Sequence, residues 1–313
     1  MSRLAALLDS LATREGTHPT SVPGVELARV SCSGRCPVMY EPMIFIMGQG
    51  RKRGFLGGEI LRYDPDNYLV LSVPVPLECE FEATPEEPIL AVKIAVEPAM
   101  LIEMLVDLED SQSTFAVPRG IYCTPLTTEL SDAVIRLLES LRSPSDSRVL
   151  GRQTVREIIY RVLRGEQGGA LRALASRNDQ FVRIARVLRH IHEDCARPLA
   201  TDAMAKLAGM SVSTFHSNFK AVTATSPLQY VKSIRLHRAR LLMVQAHQNA
   251  STAAAAVGYE SASQFGREFK RFFGASPGEE RDRWLRQSAN AGAIGAALGH
   301  RERSGERGGA TAS

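Results

Sequence analysis

Four polar side chains, His216, Ser217, Gln264 and Arg267, stand on the outward face of a short helical device that this 313-residue chain carries twice. Their chemistry is hydrogen bonding to flat partners. A guanidinium can fork onto the O6 and N7 edge of guanine, a carboxamide can pair with N6 and N7 of adenine, and hydroxyl and imidazole groups read less selectively. The device is the stretch Ser211 to Pro227, SVSTFHSNFKAVTATSP, which recurs fifty positions later as SASQFGREFKRFFGASP, Ser261 to Pro277. Aligned without a gap, the copies share Ser211/Ser261, Ser213/Ser263, Phe215/Phe265, Phe219/Phe269, Lys220/Lys270, Ser226/Ser276 and Pro227/Pro277. Each phenylalanine pair is four residues apart and so lies on one helical face, which buries, while the polar residues fall on the opposite side.

The elements that must position these groups are equally legible. Each copy follows an apolar helical run and a glycine turn: Asp202 to Ala208 then Gly209, and Thr252 to Val257 then Gly258. The glycines stand where a first helix must stop in a left-handed conformation. Ser211 or Ser213, and Ser261 or Ser263, can accept from the free amides opening the second helix. Helix, glycine turn and capped helix make a helix-turn-helix. Ser226-Pro227 and Ser276-Pro277 then signal a further helix after each unit. A plain helical bundle would use the same turns, but charge argues for nucleic acid. Lys and Arg outnumber Asp and Glu 17 to 9 over residues 176 to 287, against 18 to 23 over residues 1 to 175. The basic excess sits where the repeat sits.

The run GMSVSTFHSNFKAVTATSPLQYVKSIRLHRARLLM, followed by AAAVGYESASQFGREFKRFFGASPGEER, resembles the paired helix-turn-helix domain of AraC/XylS-type transcription regulators over residues 178 to 286. The resemblance implies a sequence-specific DNA-binding regulator in which the second helix of each unit enters a major groove. The positions matching the family's base-contacting face are Ser213, His216 and Ser217 in the first unit and Ala262, Ser263, Gln264 and Arg267 in the second. Donor geometry ranks Arg267 and Gln264 above the others. Lys220, Lys270 and Arg271 near the far ends of these helices suit phosphate anchoring. Ser217 departs from many relatives, which carry a longer basic or polar side chain there.

Pro37 to about Leu108 is similar to the N-terminal sensor of one AraC-type subgroup, on Tyr40-Glu41-Pro42, Gln49-Gly50-Arg51-Lys52, Asp64, Tyr68-Leu69 and Ser72. That resemblance implies a cupin-like β-barrel with an unassigned small-molecule effector. The residues agree: between 25 and 96 short apolar or β-branched runs alternate with turn signals such as Gly57-Gly58 and Asp64-Pro65-Asp66-Asn67. Helices are expected over Pro98 to Glu109, Thr127 to Leu141 and Arg148 to Arg164. The last carries a stripe of Val155, Ile158, Ile159, Val162 and Leu163 that packs on its own domain or serves a dimer. Gly165 to Gly169 breaks the pattern. The expected organisation is a two-domain α+β chain. Residues 1–169 form a cupin-like sensor or dimerisation domain, with the β-barrel at about 25–96 and helices at about 97–165. A linker at 170–177, an all-α double helix-turn-helix domain at 178–286 and a disordered tail at 287–313 follow.

Arg51, Arg53 and Arg62 are candidates to receive an anionic effector. Five scattered cysteines without an export signal read as reduced thiols in a cytoplasmic protein. Cys32 and Cys36 are the one close pair, giving an alternative in which the chain answers oxidants or electrophiles; a further alternative is an effector-independent DNA-binding dimer. No metal and no cofactor is expected, since no histidine lies between His18 and His190 to build a cupin metal centre. No GxxxxGK[ST] or GxSxG motif occurs either, so an enzyme is not expected. No apolar run is long enough for a membrane span, and the opening MSRLAALLDSLATREG suits an amphipathic helix. The expected partners are promoter DNA, a small effector and a second copy of the chain, with RNA polymerase a further possible one.

Overall fold

The structure, a computed structural model, describes residues 1–107, 118–166, 168–175, 180–244 and 246–282. The tail expected at 287–313 lies outside the described residues.

Among the described residues the N-terminal half holds ten strands: β1 (Gly16–Pro19), β2 (Val25–Val30), β3 (Gly34–Tyr40), β4 (Met43–Gln49), β5 (Arg51–Leu56), β6 (Glu59–Tyr63), β7 (Asn67–Leu71), β8 (Val75–Glu82), β9 (Ile89–Ala95) and β10 (Ile121–Pro125). They form two antiparallel sheets, in the orders β1-β2-β9-β4-β7-β10 and β3-β8-β5-β6. The two-domain α+β architecture expected from sequence is present, but the barrel is open: no ladder of described strands joins the two sheets. The chain changes sheet at corners. Gly50, between β4 and β5, makes one of them at φ +87°, and a Cβ there would meet Ile89 at 2.6 Å. It is a corner between the two sheets and not a hairpin turn. Gly57-Gly58, both at positive φ, is a hairpin turn, joining β5 to β6.

The six-stranded sheet is buried on both faces, which is why β4, β7 and β9 read as continuous apolar runs. Phe45, Met47, Leu69 and Leu71 face the second sheet. Ile44, Ile46, Val70, Val92 and Ile94 face the helices. Those helices are α1 (Arg3–Leu11), α2 (Pro98–Asp107), α3 (Thr128–Ser140), α4 (Pro144–Arg164) and α5 (Gly168–Ala175). The α4 stripe of Val155, Ile158, Ile159, Val162 and Leu163 is buried in this second core, each residue contributing about 1.5–3 kcal/mol by burial. Helix α4 begins four residues before its expected start, because Ser143 Oγ accepts from Asp146 N (3.3 Å) and Pro144 occupies the first turn. Gly165 does end α4, but α5 stands where a linker was expected at 170–177. Its Ala170 and Leu171 are buried against the same core, so the first domain continues at least through them.

The C-terminal half is helical: α6 (Gln180–Glu193), α7 (Thr201–Ala208), α8 (Val212–Thr223), α9 (Pro227–Val244), α10 (Ala250–Ala256) and α11 (Ala262–Phe273). Helix α9 joins the two units. Its Tyr230, Val231 and Ile234 enter one core with Phe215 and Phe219, and its Leu236, Ala239 and Met243 enter another with Phe265 and Phe269.

The first unit also rests on the sheet domain. Tyr230 Oη donates to Pro74 O (2.7 Å), and Gly120 N donates to Val222 O (2.8 Å). Since the Tyr230 proton is committed to Pro74, His192 Nε2, 2.8 Å from Tyr230 Oη, must be the donor of that pair. Burial, with Arg238 nearby, holds His192 down at about 4, so the ring is neutral and this tautomer is available.

Candidate nucleic-acid interface

Both turns are built as the residue types require. Gly209 ends α7 at φ +62°, and Gly258 adopts φ +83° between α10 and α11. Ser211 Oγ accepts from Thr214 N and Ser261 Oγ from Gln264 N, each at 3.2 Å. The first serine of each pair is therefore the cap. Phe215, Phe219, Phe265 and Phe269 are buried, with ring centroids 5.4 Å apart in the first pair and 5.3 Å in the second.

Burying the rings on one side presents the opposite side to solvent. Ser213, His216 and Ser217 on α8 are exposed, as are Ala262, Ser263, Gln264 and Arg267 on α11. Asn218 is turned back onto its own domain, donating to Gln180 Oε1 at 2.7 Å. Arg267 has no hydrogen-bond or ion-pair partner among the described residues, although Glu260 and Glu268 are near in sequence. Glu268 is engaged elsewhere: Lys232 Nζ lies 2.8 Å from its carboxylate and Tyr259 Oη donates to it at 2.9 Å. Burial pushes this carboxyl up, but hydrogen bonds from Lys232, Tyr259 and Gln264 outweigh that and hold it below the usual range. The network leaves the Arg267 guanidinium unneutralised, and it keeps Gln264 Nε2 only loosely, 3.4 Å from Glu268 Oε1. Sequence reasoning missed this cluster, because Lys232 comes from α9, far along the chain.

Lys220, Lys270 and Arg271 are exposed in the last turns of α8 and α11, where a cation also complements the helix dipole. Arg235 on α9 ties the loop after α6 to the second unit's turn, donating to Cys195 O (2.7 Å), Arg197 O (2.9 Å) and Gly258 O (3.4 Å), and the second unit is further braced by the ion pair of Arg240 and Glu280 (2.8 Å). Ser276 caps a helical turn opening at Pro277 by a reciprocal arrangement with Glu279, donating N to Oε2 at 2.7 Å and accepting from Glu279 N at 3.3 Å.

The sheet domain places its sequence candidates differently. Arg51, Arg53 and Arg62 lie on the outer face of the four-stranded sheet, and Arg53 is paired with Glu80 at 3.0 Å. The cations that point inward are Lys52 and Lys93, both 3% exposed. Strand alternation was the available signal, since Lys52 stands between two outward arginines on β5. Cys32 and Cys36 are half-buried, and Cys36 stands opposite Cys79 in the β3/β8 register. Burial, then the charge of Glu15, raises the Cys32 thiol, and burial first pushes Cys36 up to about 12. That works against the thiolate a reactive cysteine needs. Among the described residues no three metal-ligating side chains cluster, and no helix is long and apolar enough to cross a membrane.

Lys93 makes the fold pH-sensitive. Its ammonium donates to Thr17 Oγ1 (2.9 Å), with Glu26 opposite on β2 and with Lys52 and Cys79 close enough to act on its charge. Burial, then the like charge of Lys52, lowers it to about 7. In the unfolded chain a lysine titrates at roughly 10.4, so above pH 7 the unfolded state binds more protons and stability rises with pH. Raised thiols oppose this above about pH 8.5, where unfolded cysteines lose protons and folded ones do not. Between pH 6.5 and 8.5 wild-type protein should therefore gain up to about 2 kcal/mol relative to Lys93→Met. Urea unfolding of both proteins at the two pH values checks this; parallel pH dependence would contradict it.

Comparison with known proteins agrees with this geometry. Residues 21–170 match the family model described as the AraC-type transcriptional regulator N-terminus, and residues 204–283 match a helix-turn-helix domain. The RCS-specific HTH-type transcriptional activator RclR of Escherichia coli is 33% identical over 107 residues, 34% of this chain and 37% of that protein. The HTH-type transcriptional regulator GlxA of Rhizobium meliloti is 36% identical over 97 residues, covering 31% of this chain and 30% of the relative. The chain thus matches about a third of the length of these relatives. Its fold is like that of ToxT from Vibrio cholerae, with a TM-score of 0.55 at 12% identity over 82% of this chain and 97% of the other.

Proposed function

Because the chain belongs to the AraC-type transcriptional regulators, we propose that it reads double-stranded promoter DNA through α8 and α11 under the control of a small effector held by its N-terminal domain. One observation carries the reading: two helices of the same design bury their phenylalanines and leave Ser213, His216 and Ser217, and Gln264 and Arg267, facing solvent. Each helix would lie in a major groove with these side chains at base edges, while Lys220, Lys270 and Arg271 meet phosphates. Helix α9, packed into both cores, is suited to hold the readers in successive grooves, roughly 34 Å apart along the duplex. The target would be two short, dissimilar boxes.

The effector's influence would pass through the sheet domain's contacts with the first unit, Tyr230 to Pro74 and Gly120 to Val222. A ligand that favours one arrangement of the sheets shifts the presentation of α8 by its difference in affinity for the two arrangements.

The test is duplex binding by the full chain, read as fluorescence anisotropy across a salt series. Binding that weakens steeply with salt is expected, and absence of binding in dilute buffer would contradict the reading. Alanine at Lys220, Lys270 or Arg271 should each reduce the slope of log K against log salt by about 1 and leave the preferred sequence unchanged. A changed preference would mean that the residue touches bases instead.

A further inference from the structure

The two recognition helices close differently, although the repeat aligns their ends. Helix α11 ends on Gly274 at φ +75° and α8 on Ala224 at φ +58°, each donating its amide to the lysine carbonyl four residues back. A left-handed backbone costs glycine little, whereas a Cβ makes it unfavourable. Ala224 is therefore strained where its counterpart is not.

The surroundings differ in the same sense. A Cβ on Gly274 would meet no heavy atom among the described residues within 4 Å. Ala224, by contrast, is held by the sheet domain. Gly120 N donates to Val222 O (2.8 Å), one of the carbonyls that the end of a helix leaves without a partner of its own, and Gly120 O accepts in turn from Ser72 N (2.8 Å). The β5/β6 turn comes so close that a Cβ on Gly57 would stand 2.2 Å from Ala224 O, while one on Gly58 would meet nothing within 4 Å among the described residues. The hairpin itself asks only for positive φ at both positions, which asparagine also adopts. The approach to Ala224 is what demands glycine at position 57.

We infer that the sheet domain is part of the first reader: Gly57 and Gly120 are positioning residues that hold the last turn of α8, on which Lys220 stands. The first reader is complete only while docked on the sheets. The second closes on its own glycine and stands without them. This division of labour rests on the regulator reading and names the reader that the N-terminal domain governs.

Hydrogen exchange along the full chain, without DNA, compares wild type with Gly57→Asn, Gly58→Asn and the Gly57→Asn, Ala224→Gly double variant. Gly57→Asn should lose about tenfold in protection at the Ala224 amide, the worth of roughly one hydrogen bond, with the strands and α11 as in wild type. Gly58→Asn should match wild type. The double variant should regain the protection, because glycine closes α8 without help from the sheets. Duplex affinity of the same preparations should follow, about tenfold weaker in Gly57→Asn and restored in the double variant. Unchanged protection or duplex affinity in Gly57→Asn, the same loss in Gly58→Asn, equal losses in α8 and α11, or no recovery in the double variant would overturn the inference. If wild type and every variant bind no duplex while the exchange pattern holds, the regulator reading falls and the support of α8 by the sheets stands.

Discussion

Arg267→Ala protein should bind its preferred duplex about 10- to 100-fold more weakly and lose discrimination at one base pair. The side chain is exposed on the outward face of α11, and Glu268, the carboxylate that could have neutralised it, is taken up by Lys232 and Tyr259. A guanidinium held free in this way can fork onto O6 and N7 of a guanine, and such a pair is worth about 1–3 kcal/mol against the wrong base. The loss should fall on the cognate sequence and leave binding to unrelated duplexes nearly as before. Competition titrations with single-base variants of the site measure this directly. Equal losses on cognate and unrelated DNA would reduce Arg267 to a phosphate contact. The Glu268 arrangement predicts a second effect of the same kind: with Lys232→Ala, Glu268 is released to compete for Arg267, and specificity should weaken although Lys232 stands on another helix.

Phe269→Ala should cost about 3–5 kcal/mol, the usual range for truncating a buried aromatic. The ring is fully buried and packs against Phe265 at 5.3 Å and Phe273 at 4.3 Å between centroids. The core it serves is small, built from α9, α10 and α11, and separate from the one holding Phe215 and Phe219. A loss of that size therefore exceeds what a small helical core can absorb, and the second unit should open while the sheets and the first unit stay folded. Hydrogen exchange resolved along the chain would show it as lost protection confined to α10 and α11. Uniform loss of protection would mean that the two units fold as one. The matching Phe219→Ala change removes a ring from the core continuous with the sheets, so its destabilisation should reach the N-terminal domain too.

What the sequence made legible was whatever rests on local spacing. The gapless repeat placed the pairs of buried phenylalanines, and the apolar run and glycine ahead of each copy placed both turns, because each depends on residues within one or two helical turns. The cap was left open between two serines in each unit, and only the geometry picks Ser211 and Ser261. The continuous apolar runs of β4 and β7 were readable as strands, yet their assignment to an open pair of sheets depends on corners such as Gly50, whose neighbour is Ile89. Helix α5 was missed because the glycine-rich run Gly165 to Gly169 reaches into its first turn, while the burial that holds it, of Ala170 and Leu171, is tertiary. The inward cations were missed for a like reason. Arg51, Arg53 and Arg62 are the clustered charges visible in the sequence, whereas the alternation that turns Lys52 inward depends on the strand's exact register. Contacts such as Tyr230 with Pro74 join residues distant in the chain and leave no mark on local pattern.

The most direct test of the account is selection of binding sites from random duplex DNA by the full chain, carried out with wild-type protein, Arg267→Ala and a His216→Ala, Ser217→Ala double variant. The account predicts two short enriched boxes about one helical turn apart, with the box lost in Arg267→Ala different from the box weakened in the double variant. No enrichment by wild-type protein, or the same boxes from all three, would contradict it.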